Sequence, residues 1–345
     1  AARCIPLIAA LKQQHCEVVL AADGAAAELL KSAFPELRLL PLKGYRVRYS
    51  KSSTLMPLIL LWQLPRMLAT MQNEKKWLDT LLEQEKFQLI ISDNRPGLWN
   101  TNITSIYITH QLHIISGLGK WIDRILFKVH QRVMRNFKQV WVPDIQGENA
   151  LAGILSNPQD RSKQSVYIGP VSRFMVTPDA IKDIQILIVL SGPEPQRSIL
   201  EKKLLKDAHL FTGKIVLVRG NENAASLAYH KNITVVPLAS ANTLHALLMR
   251  AELVICRSGY TSVMDLLRLH VKAVLVPTPK QTEQVYLAKR MQEKGCFPWI
   301  SQNEITLSKS IETASEFQFH FPYPDADFEQ HHQTIKEMMA SVKDE

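Results

Sequence analysis

The chain has 345 residues, a formal net charge of +9, 46% hydrophobic and 21% charged residues. That composition excludes a disordered chain, and the length exceeds one ordinary open sheet, so about two domains are expected. The positive balance suits an anionic partner, but there is no RNP-type motif, zinc finger or aromatic-interleaved basic strand, so nucleic acid is not expected.

The chain opens on an amphipathic helix, Ala1 to Leu11, followed by a strand at Val18–Ala21. An α/β domain that opens on a helix lacks its first strand, so residues are expected before Ala1. The next strands are Leu37–Leu40, Leu89–Ser92, Ser105–Thr109, Gln139–Val142 and Ser165–Ile168, with helices at Ala25–Phe34, Leu58–Glu85 and Trp121–Asn136 between them. Short apolar strands separated by helices predict a parallel sheet covered on both faces. A Gly-Pro break at Gly169-Pro170 marks a domain boundary. The rhythm then restarts, with strands Ile184–Leu190, Lys214–Val218, Ile233–Pro237, Leu253–Cys256 and Ala273–Pro277. Helices Gln196–Asp207, Thr243–Ala251, Thr261–Leu269 and Gln281–Lys294 accompany them. The tail from Asp325 to Val342 reads as a helix after the Pro-rich Phe321–Pro324. The expected division is residues 1–170, 171–324 and a terminal helix, 325–345, returning to the first domain.

The longest apolar run, Leu55 to Leu64, is too short to span a bilayer and contains Pro57; no signal peptide is visible, so a cytoplasmic location is expected. Cys4, Cys16, Cys256 and Cys296 are scattered without metal-ligand spacing, which reads as reduced thiols, and no metal site is expected.

The candidate chemistry sits at strand ends. The stretch after Cys256 is a strand running into the small turn Arg257-Ser258-Gly259 and then a helix with Thr261 and Asp265. Such a turn presents backbone N–H groups to an anionic ligand, and Asp265 lies within reach of a ribose diol. Ser191-Gly192 follows another strand and is a second phosphate cradle; by itself it equally reads as an ordinary βα turn. Arg219 and Leu238 end two further strands. Glu283-Gln284 offers the paired acceptors and donors that sugar hydroxyls require. All lie at the carboxyl ends of successive strands of one sheet, which points to a nucleotide-sugar site.

These residues resemble the donor half of the GT-B glycosyltransferases, in particular the MurG-like family (glycosyltransferase family 28, C-terminal domain). The resemblance is carried by Cys256-Arg257-Ser258-Gly259 with Thr261 and Asp265, by Val276-Pro277, and by Glu283-Gln284. It implies a GT-B fold: two Rossmann-like domains facing each other across a cleft, with the C-terminal helix crossing back. The family carries Glu where this chain has the shorter Asp265, and its Gly-Gly-Ser diphosphate loop is here only Ser191-Gly192. Gly169-Pro170-Val171-Ser172-Arg173 is similar to the family's interdomain motif, which makes Arg173 a donor-phosphate contact. Ile106 to Gln111 resembles the family's acceptor-side strand ending in a His-Glu pair, with Gln111 in place of the acid.

The implied reaction is inverting, metal-independent transfer of a hexose or N-acetylhexosamine from a UDP-sugar to an acceptor hydroxyl, the donor being the only small-molecule requirement. His110 and Asp93, both at strand ends, are the two candidate bases. The acceptor is expected to be lipid-linked or an envelope glycan. Trp121 to Lys138 reads as an amphipathic basic helix, with Ile122, Ile125, Leu126, Val129, Val133 and Phe137 on one side. With the segment Arg46–Leu64 (Arg46, Arg48, Lys51 and the apolar run) it would place the protein peripherally on the cytoplasmic face of an anionic membrane. Two alternatives stay open: a nucleotide-sugar hydrolase of the pseudaminic-acid pathway type, whose Arg-Cys helix start is similar to Arg3-Cys4, and a nucleotide-sugar-binding protein without turnover.

Overall fold

The computed structural model describes residues 2–45, 56–158, 163–177, 180–220 and 231–343. The chain divides into two compact units, Ala1–Val171 with Asp325–Glu345, and Ser172–Pro324.

The first unit runs through α1 (Cys4–Gln13), β1 (Leu20–Ala22), α2 (Gly24–Ala33), β2 (Leu39–Pro41), α3 (Met56–Gln84), β3 (Leu89–Asp93), β4 (Thr104–Ile108), α4 (Lys120–Met134), β5 (Gln139–Val142) and β6 (Ser165–Tyr167). Its described strands form two parallel ladders, β1-β2 and β3-β4-β5-β6, rather than one continuous sheet. Helix α1 joins them with two adjacent apolar stripes. Leu7, Ala10 and Leu11 pack with Ile106, Ile108 and Trp141 of the four-stranded sheet. Ile8 packs with Leu20 and Leu30 beside the two-stranded one. An apolar arc that wide suits a helix covered on two sides.

The second unit holds β7 (Ile184–Val189), α5 (Gln196–Leu205), β8 (Ile215–Val218), β9 (Ile233–Val236), α6 (Ala241–Arg250), β10 (Ala251–Cys256), α7 (Tyr260–Arg268), β11 (Ala273–Leu275), α8 (Thr282–Glu293) and α9 (Leu307–Glu316). Its sheet is parallel throughout, in the order β11-β10-β7-β8-β9. The chain steps outward from β7 to β9 and then returns to the other side of β7 for β10 and β11. The direction of winding therefore reverses between β7 and β10, and their carboxyl ends flank the crevice where such sheets bind ligands. Burial on both faces explains the unbroken apolar strands: Ile186, Ile188, Ile255 and Val274 lie in one core with Leu200, Leu204, Ile300 and Leu307.

Helix α6 begins two residues before the expected Thr243 because Ser240 caps it, its hydroxyl accepting from the Thr243 N–H at 3.1 Å. Helix α9 was not expected. Thr306 caps it in the same way, and Leu307, Ile311 and Ala314 give it a short apolar stripe.

The terminal helix α10 (Gln330–Lys343) belongs to the first unit, where Ile335, Met338 and Val342 join the Leu7–Leu11 cluster. The turn before it presses on Gly169, whose φ is +74°; a Cβ there would lie 2.1 Å from the Asp327 carbonyl oxygen. Only glycine satisfies both the backbone angle and that approach.

Candidate functional site

In the first unit, the ends of β3 and β4 bring the two candidate bases to one residue, Arg3. Its Nε donates to Asp93 Oδ1 at 2.6 Å and its Nη1 donates to His110 Nδ1 at 2.8 Å. The Cys4 thiol donates to the other Asp93 oxygen at 3.2 Å. Arg3 and His110 are both buried. Burial alone would raise the Asp93 carboxyl, but the Arg3 guanidinium outweighs it and holds Asp93 well below the usual carboxylate range. Burial and the neighbouring Asp93 charge push the Cys4 thiol up to about 12, so it is no nucleophile.

This geometry sets the tautomer of His110, one of the two candidate bases. A guanidinium only donates, so Nδ1 is the acceptor nitrogen and the neutral ring carries its proton on Nε2. In this arrangement His110 offers a donor at Nε2, and Asp93 is the group that holds a permanent negative charge. Arg3, which sets both states, was noticed in the sequence only for its place beside Cys4.

In the second unit, β7 ends in exposed Ser191-Gly192, with Gly192 at φ +90°. Glu194 then turns back onto its own helix. It accepts from Arg197 Nε at 2.9 Å and from the Ser198 N–H at 3.2 Å. The first turn of α5 thus already has a carboxylate at its positive end.

At the end of β10 the pattern differs. Arg257 is 1% exposed and its guanidinium points into the protein. Nη1 donates to the Val276 and Pro277 carbonyls, and Nη2 to the Gln196 carbonyl at 2.9 Å and Gln302 Oε1 at 2.5 Å. Burial lowers it to about 10. Arg257, expected in the donor site, pins the loops after β10 and β11 and the start of α5 together. Ser258 is also interior, its hydroxyl donating to the Gln284 carbonyl at 2.8 Å. The group left facing outward is the start of α7. Its N-cap, Gly259, provides no side-chain cap, and a Cβ on Gly259 would meet nothing within 4 Å. A helix start without a side-chain cap, beside open space, is the kind of place where an anion can be held.

Asp265, one and a half turns further on, is buried and accepts from the Ser172 hydroxyl at 2.7 Å; its other oxygen lies 3.6 Å from Arg173 Nε. Two expected donor residues, Asp265 and Arg173, are thereby brought into one cluster, and Arg173 also stacks on the Phe174 ring at 4.7 Å. Burial lifts the Asp265 carboxyl to about 6, with Arg173 and Ser172 opposing the rise. Arg219, expected to face the ligand, forms an ion pair with buried Glu201 at 3.0 Å. Leu238 is half exposed at the end of β9. Thr261 and Glu283 are partly exposed in the first turns of α7 and α8. Gln284 accepts from the Thr278 N–H through Oε1 at 2.8 Å, which leaves its amide N–H groups as donors.

A family model described as the glycosyltransferase family 28 C-terminal domain matches residues 186–343. The second unit and the terminal helix are thus similar to the C-terminal domain of glycosyltransferase family 28.

A protein of Cupriavidus metallidurans named UDP-N-acetylglucosamine--N-acetylmuramyl-(pentapeptide) pyrophosphoryl-undecaprenol N-acetylglucosamine transferase is 26% identical over 222 residues, 61% of this chain and 58% of that one. This chain therefore matches less than two thirds of that relative's length. The solved glycotransferase of kitacinnamycin is similar with a TM-score of 0.66 at 15% identity, covering 99% of this chain and 95% of that one. MurG of Acinetobacter baumannii gives a TM-score of 0.52 at 14% identity, covering 99% and 91%. The chain has the GT-B fold of these glycosyltransferases.

Outside residues 186–343, α4 departs from the single apolar side read in the sequence. Ile122, Leu126 and Val133 are partly buried and Phe137 is buried, whereas Trp121, Ile125 and Val129 are 73%, 41% and 56% exposed. These three recur every fourth residue, and the parallel row Arg124, Lys128 and Arg132 is exposed beside them. The apolar positions span too wide an arc for one contact surface, so the core takes one half. The second basic cluster, Arg46, Arg48 and Lys51, lies outside the described residues, as do the side chains of the apolar run that follows. No helix among the described residues is long and apolar enough to cross a membrane.

Proposed function

We propose that this protein is an inverting, metal-independent glycosyltransferase that moves a hexose or N-acetylhexosamine from a UDP-sugar to an acceptor hydroxyl, the acceptor being lipid-linked or an envelope glycan. The observation that carries the reading is the uncapped start of α7 at the switch point of a domain similar to that of family 28. It offers backbone N–H groups and a helix dipole to a diphosphate, which stabilise a departing UDP without a metal ion. Asp265 and Arg173 serve the ribose and phosphate ends, Ser191-Gly192 and Thr261 line the diphosphate, Leu238 the base, and Glu283-Gln284 the sugar. On the acceptor side, Asp93 and His110 are the two candidate bases, and Arg3, which bonds both, has to release one of them before it takes a proton.

The outward row of Trp121, Ile125 and Val129 with Arg124, Lys128 and Arg132 supports peripheral contact with the cytoplasmic face of an anionic membrane, since apolar side chains enter the headgroup layer while cations meet lipid phosphates. Sedimentation with anionic but not neutral vesicles, lost in high salt and in a Trp121→Ser/Ile125→Ser variant, is the expected result; equal recovery with both lipids contradicts it.

The reading is tested by thermal shift against UDP-, GDP- and TDP-sugars. Stabilisation by UDP-sugars supports it, and failure of every UDP ligand refutes the donor assignment. The hydrolase reading keeps one specific support, the convergence of Arg3 and Cys4 on Asp93. Rapid multiple-turnover release of UDP without any acceptor would favour it, and UDP-sugar binding with no turnover under any acceptor would favour a binding protein.

A further inference from the structure

Three strands end in register at the switch point. Cys256 of β10 is level with Val189 of β7 and with Leu275 of β11. Counting three residues on from each brings Gly192, Gly259 and Thr278 into one row at the rim. Its two outer members converge: a Cβ on Gly192 would come within 3.8 Å of Thr278 Oγ1, although β10 lies between their two strands.

Thr278 is 3% exposed, and its hydroxyl has no hydrogen-bond partner. Its backbone is fixed, the N–H being held by Gln284 Oε1 at 2.8 Å. A buried hydroxyl without a partner is unfavourable, and valine would fill the same volume without that penalty. Close to that hydroxyl is a glycine, Gly192, in the left-handed region, whose neighbours Ser191 and Pro193 are exposed. The space beside it, at Gly259, is open and is bounded by the uncapped α7 N–H groups.

We propose that Thr278 is a ligand-binding residue whose hydroxyl, uncovered by a small shift of the Gly192 turn, donates to a phosphate oxygen of a nucleoside diphosphate seated on the start of α7. The proposal rests on the donor reading above and adds a contact from β11 to it. The orphan hydroxyl gains the acceptor it lacks, and the anion gains a side-chain donor beside the helix dipole.

The test is calorimetric titration with UDP of the wild type, Thr278→Val and Thr278→Ser, with melting temperatures measured with and without UDP. Thr278→Val should bind UDP about tenfold more weakly or worse, while its ligand-free melting temperature stays level or rises, because an unsatisfied group has been removed. Thr278→Ser should keep wild-type affinity within about threefold. Equal UDP affinity of wild type and Thr278→Val overturns the proposal and leaves the donor reading standing. So does a ligand-free melting temperature that falls in Thr278→Val while UDP affinity is unchanged. A wild type that binds no UDP overturns the donor reading itself.

Discussion

Helices α5 and α7 start at the same rim, after strands that are neighbours in the sheet, yet their positive ends are used differently. The start of α5 is met by its own Glu194 carboxylate, which Arg197 neutralises in turn. The start of α7 carries glycine, open space and no side-chain cap. With a carboxylate already resident at the start of α5, the start of α7 is the one that we propose for the anion. A resemblance between motifs locates a crevice; which backbone amides remain for a ligand is decided by where the chain's own charges go.

The largest expected effect separates structure from binding within the α7 loop. Arg257→Met should destabilise the second unit by about 3–5 kcal/mol, because it strands buried carbonyl acceptors that the guanidinium serves. If the melting temperature is unchanged and only UDP affinity falls, Arg257 is a ligand contact after all. Asp265 comes next. Folded, its carboxyl keeps its proton to about pH 6, against 3.8 as the ordinary value. Between those limits the folded chain binds more protons than the unfolded one, so this group's contribution to stability declines as pH rises through the window. Asp265→Asn should flatten that slope in urea titrations from pH 4 to 7 and gain about 1–3 kcal/mol above it. An unchanged slope would place the carboxyl in a more solvated setting.

Two substitutions then exchange the characters of the helix starts. Gly259→Asp gives α7 the carboxylate that α5 already has; φ of −70° and open space permit it. UDP affinity should fall at least about tenfold while stability rises by a few tenths of a kcal/mol. Glu194→Gln relieves α5 of its charge. With the side chain 47% exposed, it should cost only about 0.5 kcal/mol and change UDP affinity by less than about threefold. If Glu194→Gln strengthens UDP binding more than Gly259→Asp weakens it, the diphosphate sits on α5 instead.

Much of the second unit was legible because its strands are unbroken apolar runs and its turns carry glycine and proline. The crevice followed from strand ends alone. What the sequence could not show is the direction of each charged side chain. Arg219 and Arg257 stand at strand ends, where a ligand contact is the natural reading, but Glu201 and a set of backbone carbonyls claim them. Those partners come from other elements, at separations no local pattern reports. The tautomer of His110 was hidden for the same reason, since it depends on Arg3, 107 residues away. Helix α4 shows the converse. Its periodicity was plain, but only packing decides which half of a wide apolar arc meets the core.

The central claim is that a nucleoside diphosphate is held by its phosphates at the start of α7. Calorimetric titration of the wild-type chain with uridine, UMP and UDP tests it most directly. Affinity should climb steeply with each phosphate and weaken as salt is raised, as a helix-dipole site requires. Uridine binding as tightly as UDP, with no salt dependence, would contradict it.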